Sequence, residues 1–351
     1  MVSKTASFSS RLVLRNSEVT SPCDIFEDTR QQQRIIYSTL SNETVRYLAT
    51  EYYGFDRSAK CVFYSRGVND VYLLSSDTRQ FAIRVSPTNW RTVSALNGEL
   101  AVLNHLGGKG FGVALPVRRA DGGLITDVVA PEGIRKVVCF KWAVGHAPSF
   151  TSEADNIAYG MHLGKLHQAS EDLPTQEARP KLDVDYLLWH PIRVVQPMLT
   201  ELPRVSSDLE ALAKRVSSRL MSASSKLLDW GLCHGDISTH NARIDGDDIT
   251  LFDFDFCGTG WRLFDLACYR LYARKYGFEN DAWPHFIAGY LRARPGAADS
   301  LQYIGIFMIL RHLWLSSLWV LSVKQLGLGF LPDRFFDDLV PFCEKVEAEM
   351  D

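Results

Sequence analysis

The sequence predicts an α+β protein of two lobes, a small antiparallel β-sheet followed by a larger helical lobe. Three observations carry that expectation. Up to about residue 145, short runs rich in Val, Ile, Phe and Tyr alternate with Gly, Asn, Asp and Ser, the pattern of strands and turns. From Thr151 onward the apolar spacing is mostly helical. One stretch, Ala242 to Phe256, returns to strands as a hairpin around Asp245-Gly246-Asp247, where Asp-Gly between apolar runs signals a tight turn. The expected division is a weakly ordered segment at 1–33, a first lobe at 34–145 and a second lobe at 146–351.

The elements follow in order. Met1 to about Cys23 is rich in Ser and Thr and carries Lys4, Arg11 and Arg15, in outline the composition of a transit peptide. It lacks a secretory apolar core and is read as a weakly packed N-terminus. Arg34 to Glu51 reads as one amphipathic helix. Strands are expected at Cys61–Tyr64, Val71–Leu74, Gln80–Val85, Val113–Val117 and Val137–Trp142. A helix at Val93–Leu106 interrupts them, with Leu96, Leu100, Leu103 and Leu106 near helical spacing. Helices are then expected at Ala158–Gln168, Ser207–Trp230, Phe264–Tyr276, Trp283–Arg292, Ile304–Val323 and Asp333–Glu349. Ser170 to about Asp183, rich in Pro, Glu and Gln, reads as an exposed connection. Tyr303 to Val323 is as long and apolar as a membrane span of about 20 residues. Arg311 and His312 sit near its centre, where a charge in lipid costs at least ~2.5–3.5 kcal/mol. The stretch is therefore read as a core helix, with no membrane partner.

Composition narrows the function. The 351 residues hold 38 Lys+Arg against 41 Asp+Glu, a net charge of −3, without the basic excess that phosphate backbones demand. Nucleic acid is not expected as a partner. Seven cysteines are scattered without a Cys-x-x-Cys, which fits a reduced, cytoplasmic protein better than a disulfide framework or a zinc site.

The chemistry lies in Cys233-His234-Gly235-Asp236-Ile237-Ser238-Thr239-His240-Asn241 and in Leu251-Phe252-Asp253-Phe254-Asp255-Phe256. In phosphoryl transfer an Asp must reach the attacking hydroxyl while an Asn side-chain oxygen reaches a divalent metal on the nucleotide phosphates. A tight loop lets Asp236 and Asn241 point into one cleft. The hairpin return would bring Asp253 back beside Asn241, and two oxygen ligands suit a hard cation such as Mg²⁺.

These residues resemble the aminoglycoside phosphotransferase / choline kinase superfamily, which has a two-lobed protein-kinase-like fold. The family pattern is His-Gly-Asp-x4-Asn, then an aspartate in a hydrophobic strand, then Asp-Leu-Ala. This chain reads His234-Gly235-Asp236, Asn241, Asp253 and Asp265-Leu266-Ala267. The resemblance implies that Asp236 is the catalytic base, that Asn241 and Asp253 are metal ligands, and that Asp265 braces the catalytic loop. In the first lobe it implies that Arg84 holds the nucleotide phosphates with Glu99 as its partner, and that the Gly67–Asn69 turn covers the phosphates. Phe140 and Trp142 would lie at the hinge beside adenine. Two departures stand out: Ser238 where many members have His, and His240 where many have a small residue.

The implied cofactors are ATP, with GTP as the alternative, and Mg²⁺; the implied partner is a small molecule bearing a hydroxyl. Leu301–Ser322 contains no Asp or Glu and offers Tyr303, Arg311, His312, Trp314 and Trp319, which points to a neutral or anionic acceptor. Arg311 and Asp255 are the candidate acceptor contacts. The alternatives are a stress-response-type Ser/Thr protein kinase and an inactive nucleotide-binding module. Oligomeric state is left open.

Overall fold

The computed structural model describes residues 35–76, 79–174, 178–223 and 227–350. The expected N-terminal segment lies outside them. Contacts divide the chain at Ile35/Ile36, and all that follows concerns the unit Ile36–Asp351.

Helix α1 (Asn42–Tyr53) opens this unit. The Ser41 hydroxyl accepts the Thr44 N–H and starts it, and Gly54, in the left-handed region, ends it. The cap explains why it begins later than the expected Arg34. Strands β1 (Lys60–Arg66), β2 (Asp70–Ser76) and β3 (Arg79–Val85) follow, then α2 (Val93–Gly108), capped by Thr92, and strands β4 (Thr126–Ala130) and β5 (Gly133–Lys141). They form a five-stranded sheet, order β1-β2-β3-β5-β4, with every pairing antiparallel. The expected strand at Val113–Val117 reduces to single bridges, Val113 to Leu251 and Pro116 to Phe140. Pro116 has no N–H to give a ladder. β4 was not expected from the sequence.

Register assigns the two faces of this sheet. Val62, Leu73, Ala82 and Phe140 stand opposite one another across β1, β2, β3 and β5 and share one face. Tyr72, Leu74, Phe81, Ile83 and Val85 lie in the core cluster that includes Val45, Leu48 and Ala49 of α1. One face therefore packs on α1, and Arg84, two residues after Ala82 on β3, belongs to the other.

The second lobe is mainly helical: α3 (Glu153–Ala169), α4 (His190–Val195), α5 (Pro203–Ser222), α6 (Leu263–Lys275), α7 (Glu279–Ala293), α8 (Ile304–Leu326) and α9 (Phe335–Ala348). Two short β units position its loops. β6 (Lys181–Leu182), β10 (Gly258–Trp261) and β7 (Trp230–Cys233) form a three-stranded sheet, and β8 (Ala242–Asp245) pairs with β9 (Asp248–Leu251) as the expected hairpin. The expected helix from Ser207 to Trp230 stops at Ser222 and gives way to β7. The expected exposed connection after Ser170 contains a buried Arg179, whose guanidinium donates to the carbonyls of Cys257, Phe254 and Asp255. α8 is apolar all round and buries Ile304 through Arg311 in the large core.

Candidate active site

The loop after β7 carries Asp236, and its shape is fixed by its neighbours. Gly235 has φ +83°, and a Cβ there would lie 2.3 Å from the Phe256 carbonyl oxygen, so only glycine fits. The Asp265 carboxylate, at the start of α6, accepts the N–H of His234 at 2.7 Å and of Gly235 at 2.8 Å, and meets His167 Nε2 at 3.1 Å. Burial would raise its pKa, but these hydrogen bonds and His167 hold it below the usual range. His234 braces the same loop. The Asp236 N–H donates to its Nδ1 at 3.2 Å, so Nε2 carries the proton and donates to the Phe252 carbonyl at 3.0 Å. Burial lowers its pKa and keeps the ring neutral. The His-Gly-Asp pattern marked His234 without revealing this link to the segment before Asp253.

Asp236 is 18% exposed at its side chain. Asn241 Nδ2 donates to its Oδ2 at 2.8 Å and to its backbone carbonyl at 2.9 Å. With its amide nitrogen so used, Asn241 has its carbonyl oxygen left for other work. The Phe252 N–H donates to the Asn241 backbone carbonyl at 3.0 Å, and Ala242 pairs with Leu251. The hairpin thus returns Asp253 next to Asn241. Asp253 takes φ +61°, a left-handed conformation that is uncommon outside glycine. Its carboxyl is 44% exposed, yet enclosing protein atoms and the neighbouring Asp255, Asp236 and Glu99 push its pKa up to about 7 against the pull of Arg84. A carboxylate crowded by like charges at an open position is suited to a cation.

Arg84 and Glu99 form a buried fork, Nη1 to Oε1 at 2.8 Å and Nη2 to Oε2 at 2.7 Å. Arg84 Nη1 also stands 3.8 Å from Asp253 Oδ1, and the guanidinium lies 5.0 Å from the Phe140 ring centre. Glu99 and Asp253 raise the pKa of Arg84 above its ordinary value despite burial. Val62, Leu73, Ala82 and Phe140 make an apolar surface on the Arg84 face of the sheet. Val62 is exposed, and Leu73 and Ala82 are half-buried. Only the strand register reveals this shared face; residue type alone did not.

The structure therefore brings Asp236, Asn241, Asp253, Arg84, Glu99 and Phe140 together. Other expected residues are placed differently. Gly67 is exposed, its N–H donates to the Asn69 carbonyl, and nothing crowds its Cα. Asn69 is buried and donates through Nδ2 to Asp255 Oδ2 at 3.1 Å. Trp142 donates its backbone N–H to the Gln80 carbonyl at 3.2 Å and packs its ring edge-on against Tyr64.

Asp255 must be corrected. It is 1% exposed at its side chain, and its carboxylate accepts Asn69 Nδ2, Trp90 Nε1 at 2.7 Å and Arg91 Nε at 2.9 Å. Such a group has no free edge for an acceptor molecule. Arg311 is likewise 1% exposed and lies against Asp236 instead of facing open space.

Asn241 and Asp253 present oxygen donors, the set a hard divalent cation takes. Among the described residues no group of three or more His, Cys, Asp or Glu could hold a metal, so this pair would need ligands from a phosphate chain to complete a shell.

A five-stranded sheet with a buried Arg–Glu fork, above a helical lobe whose loop and hairpin present Asp, Asn and Asp, defines a two-lobed protein-kinase-like phosphotransferase, a kinase. The signature of the phosphotransferase enzyme family matches residues 62–302, and the chain belongs to that family. An uncharacterized protein of Deinococcus radiodurans is 35% identical over 307 residues, 86% of this chain and 89% of its own. The homoserine kinase of Neisseria meningitidis serogroup B is 29% identical over 208 residues, 58% of this chain and 64% of its own. Among solved structures, the amicoumacin kinase hAmiN in complex with AMP-PNP, Ca²⁺ and Ami superposes with a TM-score of 0.70. That likeness is of fold, at 20% identity, and covers 88% of this chain and 94% of the other.

Proposed function

We propose that this chain is an ATP- and Mg²⁺-dependent kinase that moves the γ-phosphoryl group to a hydroxyl of a small molecule, with Asp236 as the base. The observation that carries the reading is the juxtaposition of the Arg84–Glu99 fork, Asp253 and the Asn241-tethered Asp236. The names of the relatives support a small-molecule acceptor.

Arg84 would hold the phosphates of the nucleotide, kept in place by Glu99, and the surface of Val62, Leu73, Ala82 and Phe140 would cover the base. Mg²⁺, held by Asn241 and Asp253, would neutralise phosphate charge. Asp236 would accept a hydrogen bond from the acceptor hydroxyl. The new O–P bond forms, the bond from phosphorus to the ADP oxygen breaks, and the hydroxyl proton passes to the Asp236 carboxylate. Such catalysis is mostly placement and electrostatics.

Two helices near Asp236 supply Tyr272 and Arg311. α8 contains no acidic residue, and the single acid of α6, Asp265, is fully buried on the catalytic loop. These helices give no carboxylate with which to grip a polycation, which supports a neutral or anionic acceptor. The six described cysteines are free thiols, five of them buried, which supports a reducing, cytoplasmic setting.

The test is consumption of ATP, and of GTP, with Mg²⁺ and a panel of homoserine, choline, amicoumacin, an aminoglycoside and a general protein substrate, against no acceptor. Phosphorylation of a small hydroxyl compound is expected; phosphorylation of protein alone would defeat the reading. With that acceptor, Asp236→Ala should lower turnover by ~10²–10⁴, the scale of general acid–base groups. Wild-type turnover in the variant would remove Asp236 from its role.

A further inference from the structure

We infer that Arg311 is a positioning residue for Asp236, gripping the carboxylate from behind so that its exposed part meets the acceptor hydroxyl. The inference rests on the reading of Asp236 as the base. Arg311 comes from the middle of α8, a helix otherwise almost wholly apolar along its buried length. Its Nη1 donates to the Gly235 carbonyl at 3.0 Å and its Nη2 to Asp236 Oδ1. One guanidinium thus holds the backbone before Asp236 and the side chain of Asp236 together. Asn241 Nδ2 takes the opposite oxygen, Oδ2, at 2.8 Å. Donors on both edges stop the carboxylate from rotating.

The surroundings of Arg311 are built for this grip. Its guanidinium carbon lies 4.7 Å from the Trp314 ring centre, 5.7 Å from Tyr272 and 5.8 Å from Phe264. The Tyr272 hydroxyl stands 3.4 Å from both Arg311 Nη2 and Asp236 Oδ1. Nε is buried without a hydrogen-bond partner. A buried cation with an unsatisfied donor is costly unless its charge is matched, and Asp236 is the carboxylate that it touches. At 1% exposure the side chain reaches no acceptor, so it acts through Asp236.

The experiment is a double-mutant cycle of Arg311→Met and Asp236→Asn, with Arg311→Lys alongside. The readouts are turnover of ATP with the acceptor found in the panel, or with water alone, and affinity for Mg²⁺·AMP-PNP. Arg311→Met should lower kcat by ~10²-fold, the scale of a catalytic group misplaced by about 1 Å. KM for ATP and AMP-PNP affinity should stay within about twofold. In the Asp236→Asn background the same change should cost little more, because the group being positioned is already disabled. Arg311→Lys keeps the charge without the fork and should show the same kcat-against-KM split, more mildly; it carries the test if the Met variant does not fold. Equal losses in both backgrounds, or lost nucleotide affinity with kcat unchanged, would overturn the inference. Undiminished turnover in Asp236→Asn alone would instead strike the proposed function itself.

Discussion

Asp253 and Asp255 stand two positions apart on one short segment and live under opposite conditions. Asp253 is open at its carboxyl, and its nearest cation, Arg84 at 3.8 Å, is already forked onto Glu99. Its pKa is pushed up to about 7. Asp255 is enclosed and saturated with donors, and although burial works to raise its pKa, Arg91, Arg84 and Trp90 outweigh it and hold it at about 2. Those donors come from Asn69, in the β1–β2 turn, and from Trp90 and Arg91, between β3 and α2. The same side chain thus stands open and crowded by like charge at one position and clasps the lobes together at the other. What faces a carboxylate, and not its place in a motif, sets its work.

The sharpest way to break this contrast is to delete the clasp. Asp255→Ala takes the carboxylate partner from the half-buried Arg91 and orphans the donors of Trp90 and Asn69. It should cost about 3–5 kcal/mol of unfolding free energy, the scale of breaking a buried pair. Denaturant titration measures it, and a loss under about 1 kcal/mol, the scale of an exposed ion pair, would mean that Asp255 is no clasp. Asp253→Ala should do the reverse, keeping the fold while weakening Mg²⁺-dependent nucleotide binding by at least ~10–100-fold, the cost of losing even an outer partner of a metal site. Unchanged Mg²⁺ titration behaviour would return Asp253 to a structural role.

The gentlest probe is pH, because the two groups have opposite linkage signs. Asp255, with its folded pKa depressed, contributes stability that is full above about pH 4, its unfolded range, and is lost as pH falls toward 2. Asp253, with its folded pKa raised, is most favourable below about pH 4 and loses that advantage as pH rises through 7. Metal-free Asp253→Asn should therefore be more stable than wild type, with a Tm advantage that grows from pH 4 to 7 and then levels off. A pH-independent difference would contradict the crowded-charge picture.

The loop and hairpin of this site were legible in sequence because they are local. Asp236, Asn241 and Asp253 project from one loop and one short hairpin, and the register of β8 with β9 leaves them little freedom. Arg84 and Glu99 were legible only through the family resemblance, by their place on a strand and on the helix that follows it. Asp255 was not, because Asp253 turns left-handed and Phe254–Phe256 then coils as a single helical turn, so strand alternation no longer tells which way a side chain faces. Arg311 was misplaced because the few polar residues along the buried length of α8 mark no single face, so periodicity does not tell which way its side chain points. The buried Arg179 depends on partners far along the chain, the carbonyls of Phe254 to Cys257, which no local pattern announces.

The central claim is a separation of roles, with Asp253 serving the metal-bound nucleotide and Asp236 serving the chemistry. Calorimetric titration of Mg²⁺·AMP-PNP into wild type, Asp236→Asn and Asp253→Ala tests it most directly. Wild-type affinity is expected for Asp236→Asn and a loss of tenfold or more, over ~1.4 kcal/mol, for Asp253→Ala. Intact binding by Asp253→Ala together with failed binding by Asp236→Asn would contradict it.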